Sequence, residues 1–578
     1  MTSRILSVAP ARLEVLVAGY QREVARRRRQ SLLVLAIVAV LIVIAGKVGE
    51  VDPNNLVQNI SNFTSYFSRI LPRIGVTTFG ADVADWYWNI TGWLKLLLDT
   101  VMIAYLGTLI GAGGAVAMSF LAAANLAPTG ILRWSIKRVF EFCRTVPDLV
   151  FALMFVSAFG LGPLAGILSI AIHSFGTLGK LFTEAIENID MKPVEGVRST
   201  GGRFMETVRF GALPQVISTF ASYALLRFEI NVRSGSVVGM VGAGGIGQDL
   251  FVAIRKFYYT DVSAILLMII VCVAVIDLLT ERIRHRLSGG ERLPMTKRLY
   301  PSDARAVLER HGGLFDSSPL QRASAFAVPV VLAALTIFSI WWLAIPFNQI
   351  GSGLASLAKF FGLMFPPSTG GHLTLLVKAM EETLAIAFLG TLIATVMAFP
   401  VSFFAASNTT PRPVIRFVVR RALDTIRSVD ALIWALVFVG VVGLGPFAGI
   451  LAIAVSDTGA LGKLFSEAIE STDARGRESV LASGGTEFLS VRFGLLPQVL
   501  PIIAGQILYF FESNVRSATI IGIVGAGGIG LQLSEQIRTY DFDQVAFAII
   551  MILITVAVID LISGKLRFAI IGRRAVTD

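Results

Sequence analysis

The chain has 578 residues, of which 54% are hydrophobic and 15% are charged, and its formal net charge is +11 at pH 7. A soluble globular domain carries about 25% charged residues, so this composition excludes an ordinary soluble protein and indicates many membrane-spanning segments. In such a protein a positive net charge reflects basic cytoplasmic loops, and we therefore expect membrane lipid and no nucleic acid as a partner.

The first predicted element is a basic cytoplasmic arm, residues 1–30, which ends in a run of arginines before its last glutamine. The apolar run SLLVLAIVAVLIVIAG follows at 31–46 and predicts a first membrane span. A cleaved signal peptide is the alternative, but the segment before the apolar run is too long for one. We therefore predict an uncleaved span that follows a cytoplasmic N-terminus.

Most of the remaining chain is a tandem duplication. LGKLFTEAIE at 178–187 returns as LGKLFSEAIE at 461–470, an offset of 283 residues (461 − 178), and VRFGALPQV and VAVIDLL return at the same offset with one change each. A period this long is a whole membrane domain made twice. We predict a first repeat over 31–284, a basic cytoplasmic linker over 285–322 and a second repeat over 323–578.

Each repeat contains six apolar stretches of span length, which predicts an all-α polytopic membrane protein with about 12 transmembrane helices. Because six is even, the two repeats insert the same way up and form a parallel repeat. Lys and Arg are concentrated in the arm and the linker and are sparse in the loop 50–94, so both termini are predicted to be cytoplasmic. The predicted spans are 31–49, 97–123, 139–160, 164–181, 215–236 and 262–280, then 324–346, 380–406, 422–443, 447–464, 498–519 and 545–563.

A cytoplasmic loop between the fourth and fifth spans of each repeat mixes charged and apolar residues at helical spacing, which predicts short helices outside the bilayer. The order of its residues resembles the signature of ABC importer permeases: Glu-Ala-Ala, three residues, Gly, nine residues, then an apolar residue, any residue and Leu-Pro. The two alanines are replaced in both copies, and Gly211 and Gly494 stand where that family has an apolar residue. The matching residues are Glu195, Gly201, Leu213, Pro214, Glu478, Gly484, Leu496 and Pro497.

The wider sequence, above all 144–187 and 491–501, is similar to the permease of phosphonate importers. The resemblance implies two type I ABC importer permease repeats fused in one chain of the bacterial plasma membrane. It implies two cytoplasmic ABC ATPase subunits that dock on coupling helices formed by the loops, and an external phosphonate-type solute-binding protein. The implied substrate is phosphonate or a related phosphorus oxyanion.

The sequence lacks the phosphate-binding loop of an ATPase, which needs G-x-x-x-x-G-K-[ST]. None of its Gly-Lys pairs, at 46–47, 179–180 and 462–463, is followed by Ser or Thr. We therefore expect a transporter subunit with no catalytic site, metal or cofactor of its own, and ATP and Mg bound by the partner ATPase subunits. An ion-coupled secondary transporter with two parallel six-helix halves is the alternative, although it would not need matched cytoplasmic loops.

The fifth span of each repeat carries charges, in FEINVRS at 228–234 and in FESNVRS at 511–517. A charged residue costs about 2.5–3.5 kcal/mol at the centre of a span, so its repetition is informative. In one interpretation the two arginines face each other across the pseudo-two-fold axis and bind an oxyanion. In the other, each Glu pairs with the Arg four residues later as a structural ion pair. The candidate pathway residues are Glu229, Arg233, Ser234, Glu512, Arg516 and Ser517.

Other polar residues of the spans give weaker signals. Arg144 and Arg427 correspond and are interpreted as basic residues near the cytoplasmic end of the third span. Asn231 and its counterpart are predicted to bond between helices. Ser174 is matched by Asp457 in the second repeat, a difference that would make the pathway asymmetric.

The repeated glycine stretches, VGMVGAGGIG at 238–247 and IGIVGAGGIG at 521–530, have the G-x-G-x-x-G spacing of dinucleotide-binding loops. That motif requires a preceding strand, and a membrane-bound dehydrogenase would be the enzyme alternative. Because a membrane span precedes the glycines here, we predict instead a glycine-permitted break at its outer end, forming part of an outer gate. The candidate gate residues are Gly242, Gly244, Gly245, Gly247, Gly525, Gly527, Gly528 and Gly530.

Overall fold

The computed structural model describes residues 10–51, 64–65, 68–72, 74–75, 77–288, 319–410 and 412–571. The regular elements within these ranges are all helical. The predicted arm is described only from residue 10 onward, and most of the predicted linker lies outside the described residues.

From the third helix of each repeat onward, the helices of the two repeats match each other closely. In the first repeat they are α1 (Pro10–Val48), α2 (Phe79–Trp86), α3 (Ile90–Ala122), α4 (Gly130–Thr145), α5 (Asp148–Phe159), α6 (Pro163–Glu187), α7 (Met191–Ser199), α8 (Leu213–Gly239), α9 (Ile246–Arg255) and α10 (Tyr259–Ser288). In the second they are α11 (Pro319–Trp342), α12 (Ile350–Leu363), α13 (Leu373–Ala405), α14 (Pro413–Ser428), α15 (Ala431–Val442), α16 (Pro446–Glu470), α17 (Arg475–Ala482), α18 (Leu496–Gly522), α19 (Ile529–Arg538) and α20 (Phe542–Ile571). The duplicated sequence thus produces a duplicated fold.

Of the described helices, 7 are long and apolar enough to cross a membrane, and up to 10 spans result if each of three sharply bent helix pairs counts as one. The two further predicted spans are also helical. One is the apolar end of α1, Leu32–Val48, which is shorter than a full span. The other is α8, which carries three charged residues, Arg227, Glu229 and Arg233. All twelve predicted positions therefore contain helix.

The third predicted span of each repeat is not one straight helix. α4 and α5 meet at 86°, and α14 and α15 meet at 84°. In the first repeat Pro147 has no amide hydrogen and directs the residue before it away from helical conformation. In the second, Asp430 starts a new helix by accepting a hydrogen bond from the Leu432 amide at 2.9 Å. The apolar stretches predicted as spans over 139–160 and 422–443 are therefore helical but sharply bent.

The first helix of each repeat packs against the opposite repeat. α1 lies against α13, and Ala45 belongs to the same apolar core as Leu389. α11 lies against α3, where Trp342 Nε1 donates a hydrogen bond to Asp99 Oδ1 at 2.7 Å. α10 likewise contacts α14, and α20 contacts α4. These exchanges place equivalent helices of the two repeats around a common interior.

Candidate functional site

A polar cavity of about 420 Å³ lies between the two repeats. Helices α8 and α18 supply equivalent parts of its wall, and the bends after α4 and α14 supply two more. The charged residues that line it are Arg144, Arg227, Arg233, Arg427, Arg516, Asp148, Asp430 and Asp457.

Both arginines predicted from the repeated span motif line this cavity. Arg233 comes from α8 and Arg516 from α18, and each side chain is only 17% exposed. The predicted hydroxyl neighbours, Ser234 and Ser517, line it as well. Two guanidinium groups from equivalent positions thus meet at one enclosed space, which supports the oxyanion interpretation.

The predicted glutamates have a different position, since Glu229 and Glu512 are buried and do not line the cavity. Each faces the last helix of its repeat. Glu229 Oε2 lies 3.6 Å from the Arg284 guanidinium, and Glu512 Oε2 lies 2.9 Å from that of Arg567. Their contacts favour a role in helix packing over contact with a substrate.

The predicted pairing of Glu and Arg four residues apart is found in one repeat. Glu512 Oε1 lies 3.6 Å from Arg516 Nη1. In the first repeat the ion pair of Arg233 is with Asp277 of α10, at 4.0 Å. A shared helix face permits such a pair, but carboxylates on neighbouring helices compete for the arginine.

Two aspartates behind the cavity wall, Asp277 and Asp560, connect the repeats. Each lies within ion-pair distance of one arginine from its own repeat and one from the other. The distances are 4.0 Å for Asp277–Arg233, 3.9 Å for Asp277–Arg427, 3.6 Å for Asp560–Arg516 and 4.0 Å for Asp560–Arg144. Sequence reasoning missed both aspartates, although they lie within the repeated VAVID segment that reveals the duplication.

Arg144 and Arg427 have a position that sequence reasoning did not predict. The right-angled bends turn the last residues of α4 and α14 toward the interior, and both arginines line the cavity. Each also lies within ion-pair distance of an aspartate of the opposite repeat, while their predicted place near the cytoplasmic end of the third span stays a prediction.

Three arginines in this cavity keep unused hydrogen-bond donors. The Nε atoms of Arg144, Arg233 and Arg427 are buried and have no hydrogen-bond partner among the described residues. A buried donor without a partner carries its full desolvation cost. Oxyanions satisfy such donors well, because guanidinium and phosphorus oxyanions form short, charge-assisted hydrogen bonds.

Asparagines hold the helices that carry these arginines. Asn231 Nδ2 donates to Thr108 Oγ1, and Asn514 Nδ2 donates to Thr391 Oγ1, both at 2.8 Å. The prediction that these asparagines bond between helices is therefore confirmed. Asn514 also donates to Asp457, so the asparagine of the second repeat reaches the cavity wall.

Each glycine stretch forms a tight turn that follows a helix, α8 or α18, and leads into a short helix, α9 or α19. Gly242, Gly244 and Gly245 have φ of +91°, +84° and +88°, a backbone region that glycine adopts without strain. Gly525, Gly527 and Gly528 repeat this geometry. A helix precedes the glycines where a dinucleotide fold needs a strand, so the predicted glycine-permitted break is confirmed.

These turns are fixed to neighbouring helices. The Ile246 amide donates to Thr100 Oγ1 at 2.9 Å, and the Ile529 amide donates to Thr383 Oγ1 at 2.8 Å. At Gly247 a Cβ would lie 1.7 Å from the Ser236 carbonyl oxygen. Sequence reasoning identified the break but missed the short helices α9 and α19 after it.

A second cavity, of about 1030 Å³, lies beside the glycine turns and is lined by Gly525 among the predicted gate glycines. Arg255 and Arg538, equivalent residues at the ends of α9 and α19, also line it. Apolar side chains also line it, among them Met240 and Ile523. These belong to the same apolar cluster as Val237 and Leu432 of the first cavity, and we call this cluster the apolar layer.

The loops with the permease-like signature contain the predicted short helices, α7 and α17. Each helix is followed by a glycine with φ of +85°, Gly201 or Gly484, and Leu213 and Leu496 begin the long helices α8 and α18. Glu195 and Glu478 are exposed. The loops are therefore joined by a few residues to the helices that carry Arg233 and Arg516.

The departures from the family signature have a packing reason. A Cβ at Gly211 would lie 3.0 Å from Val194 Cα of α7, and one at Gly494 would lie 2.6 Å from the Gly476 carbonyl oxygen of α17. A larger residue would push the short helix away from the start of the long one.

A sequence profile of the family described as "Binding-protein-dependent transport system inner membrane component" matches residues 115–290 and 398–572. The chain belongs to this family. Because the profile matches once in each repeat, the predicted fusion of two permease copies is confirmed, and the chain is a multi-pass membrane protein. The repeat boundaries 31–284 and 323–578 stay predictions.

Two relatives extend this assignment. The "Phosphate-import permease protein PhnE" of Mycolicibacterium smegmatis is 36% identical over 472 residues, which are 82% of this chain and 84% of that protein. The "Phosphite transport system permease protein PtxC" of Stutzerimonas stutzeri is 36% identical over 238 residues, 41% of this chain and 86% of that protein. The shorter relative matches the length of one repeat, as a separate permease copy would.

Proposed function

We propose that this chain is the fused permease pair of an ATP-driven importer and that it translocates phosphonate or a related phosphorus oxyanion across the bacterial plasma membrane. The observation that carries the proposal is the shared cavity in which arginines of both repeats keep buried donors unpaired. The printed names of the relatives, a phosphate-import and a phosphite permease, agree with this chemistry.

The proposed pathway enters through the larger cavity and continues to the arginine cavity. An external solute-binding protein would deliver the anion beside the glycine turns, where Arg255 and Arg538 attract it. Separation of the apolar layer around Met240 and Ile523 would then open the way to Arg233 and Arg516. In this proposal both termini lie in the cytoplasm, which the positive-inside rule supports because the arm and the linker are basic.

ATP and Mg are proposed to bind two ATPase subunits that dock on α7 and α17. Next to each helix an apolar side chain is exposed at an equivalent position, Met205 at 75% and Phe488 at 72%. Large exposed apolar side chains at matched positions are typical of a protein interface. Movement of either short helix would be transmitted to α8 or α18 by packing, because α7 and α17 each contact the π-helical turn that leads into the long helix, Thr207–Ala212 or Ser490–Leu495.

Uptake of labelled phosphate or methylphosphonate into membrane vesicles tests the proposed function. With its ATPase and binding protein present, the chain is expected to support uptake that requires ATP and is insensitive to ionophores. Uptake that proceeds without ATP and collapses with the ion gradient would favour a secondary transporter instead.

The double variant Met205→Glu/Phe488→Glu is expected to lose most ATPase association, because each substitution places a charge in the centre of the proposed interface. Co-purification of the ATPase with the detergent-solubilised chain measures this. Phe79→Glu is the control, at a side chain that is 61% exposed on α2, within the loop 50–94 that the sequence predicts to face out. Equal recovery of ATPase with the double variant and the control would contradict docking at this surface.

A further inference from the structure

The arginine cavity is chemically different on its two sides. In the first repeat His173 and Arg227 line it, and their equivalents in the second repeat are Ser456 and Phe510. The second repeat contributes a carboxylate instead, since Asp457 lines the cavity where the first repeat has a buried serine, Ser174. At these unequal positions the first repeat thus adds an arginine and a histidine to the wall, and the second repeat adds a carboxylate.

The difference between Ser174 and Asp457 changes the hydrogen bonding at this position of the two repeats. In the first repeat Ser174 Oγ accepts from Asn231 at 2.8 Å and from Arg227 at 3.3 Å. In the second repeat Asp457 Oδ2 accepts from Asn514 at 2.5 Å. Within the described residues Asp457 has no ion pair, so no cation of the wall is in direct contact with its carboxyl group.

The other two acidic residues of the cavity are engaged with backbone. Asp148 Oδ1 accepts from the Leu149 amide at 3.0 Å, and Asp430 Oδ1 accepts from the Leu432 amide at 2.9 Å. Both lie at the starts of helices, where a carboxylate stabilises the free amides. Asp457 lies in the middle of α16 and has no such role.

We propose that Asp457 accepts a hydrogen bond from a protonated oxygen of the bound anion and thereby selects hydrogen-bearing phosphorus oxyanions over sulfate. An ionised carboxylate is only an acceptor, so it needs an O–H on the ligand. Hydrogen phosphate and hydrogen phosphonates carry one near neutral pH, whereas sulfate has none and would place an unprotonated oxygen against the carboxylate. The arginines bind the unprotonated oxygens. This inference rests on the proposed function and adds the protonation state of its substrate.

The test measures anion-dependent thermal stabilisation of the full-length chain in detergent, with sulfate, phosphate and methylphosphonate at equal ionic strength. In the wild type, sulfate is expected to need at least about tenfold higher concentration than phosphate for the same rise in Tm, because of like-charge repulsion. Asp457→Asn offers an amide N–H to any oxyanion. In this variant sulfate and phosphate are expected to give the same rise in Tm at the same concentration.

Asp430→Asn is the matched control, since it removes the same charge from the same cavity while an asparagine can still cap α15. It is expected to retain the preference for phosphate over sulfate. Asp457→Ser, which installs the residue found at the equivalent position of the first repeat, serves as a second variant if the asparagine variant does not fold, and the same loss of preference is expected.

An unchanged preference in both Asp457 variants, or an equal change in Asp430→Asn, would overturn the proposal. The proposal would also be overturned if the Asp457 variants lost stabilisation by 2-aminoethylphosphonate but kept stabilisation by methylphosphonate, because Asp457 would then pair with an ammonium group. In each case the proposed function stands if Arg233→Gln/Arg516→Gln abolishes stabilisation by phosphate. If phosphate and methylphosphonate do not stabilise the wild type at all, the arginine cavity is not the substrate site and both proposals fail.

Discussion

Replacing both Arg233 and Arg516 by glutamine is expected to reduce uptake by about a hundredfold or more. Hydrogen bonds to a charged group contribute about 1.5–3 kcal/mol each. About 1.4 kcal/mol corresponds to a factor of ten, so the loss of one such bond at each arginine suffices for this effect. The initial rate of ATP-dependent uptake of labelled phosphate, normalised to the amount of chain in the membrane, measures it.

The corresponding lysine variant separates charge from geometry. Lysine keeps the positive charge but lacks the planar fork that binds two oxygens, so uptake between that of the wild type and the glutamine variant is expected. Arg138→Gln is the control, because Arg138 lies on the surface of α4, pairs with Glu141 and does not line the cavity. Normal uptake by the double glutamine variant would show that the anion does not bind between these arginines.

Much of the fold could be predicted from sequence, because the duplication gives two copies of each helix from which its position can be inferred. The repeated LGKLF and VRFG segments determine how the repeats align. In the structure, helices α3 to α10 return at this offset as helices α13 to α20. Charge in a span identified Arg233 and Arg516, because an unpaired charge there is too costly to be repeated without a use. Glu229 and Glu512 carry the same signal and are buried beside the cavity wall, so cost alone does not distinguish a pathway residue from a packing residue.

The rest of the cavity depends on contacts between repeats, which the sequence does not specify. Asp277 pairs with Arg427, and Asp560 with Arg144, only because α10 and α20 each lie against the opposite repeat. Hydropathy also could not reveal the bends, since an apolar run has the same composition whether it is straight or folded back. Pro147 was a visible signal for one bend, but nothing comparable marks the other, where Asp430 is followed by apolar residues.

The glycine turns connect this cavity with the proposed entrance. Each turn holds the end of α8 or α18 against an earlier loop, the one between α5 and α6 or the one between α15 and α16, since the Gly162 amide donates to the Gly242 carbonyl at 3.0 Å and the Gly445 amide donates to that of Gly525 at 3.1 Å. The turns are therefore rigid connections that would transmit a movement of the long helices to the apolar layer. Their dependence on glycine gives the second large effect.

Gly247→Ala and Gly530→Ala are each expected to prevent most of the chain from folding. The new Cβ atoms would lie 1.7 Å from the Ser236 carbonyl oxygen and 1.8 Å from that of Thr519. Both carbonyls belong to helix backbone, so relief of the overlap requires the helix end to move away from the turn. Overpacking of this kind costs about 1–3 kcal/mol where side chains can adjust, and more is expected where backbone must move. The yield of monodisperse protein after detergent extraction, together with its Tm, measures the effect.

Gly113→Ala provides the matched control, because Gly113 lies inside α3 and a Cβ there would have no atom within 4 Å. In a helix interior alanine is favoured over glycine by about 0.5–1 kcal/mol, so this variant is expected to be at least as stable as the wild type. A Gly247→Ala protein with wild-type yield and Tm would show that the turn tolerates a side chain. In that case the turns would be flexible, and they could not transmit movement between α8, α18 and the apolar layer in the way proposed here.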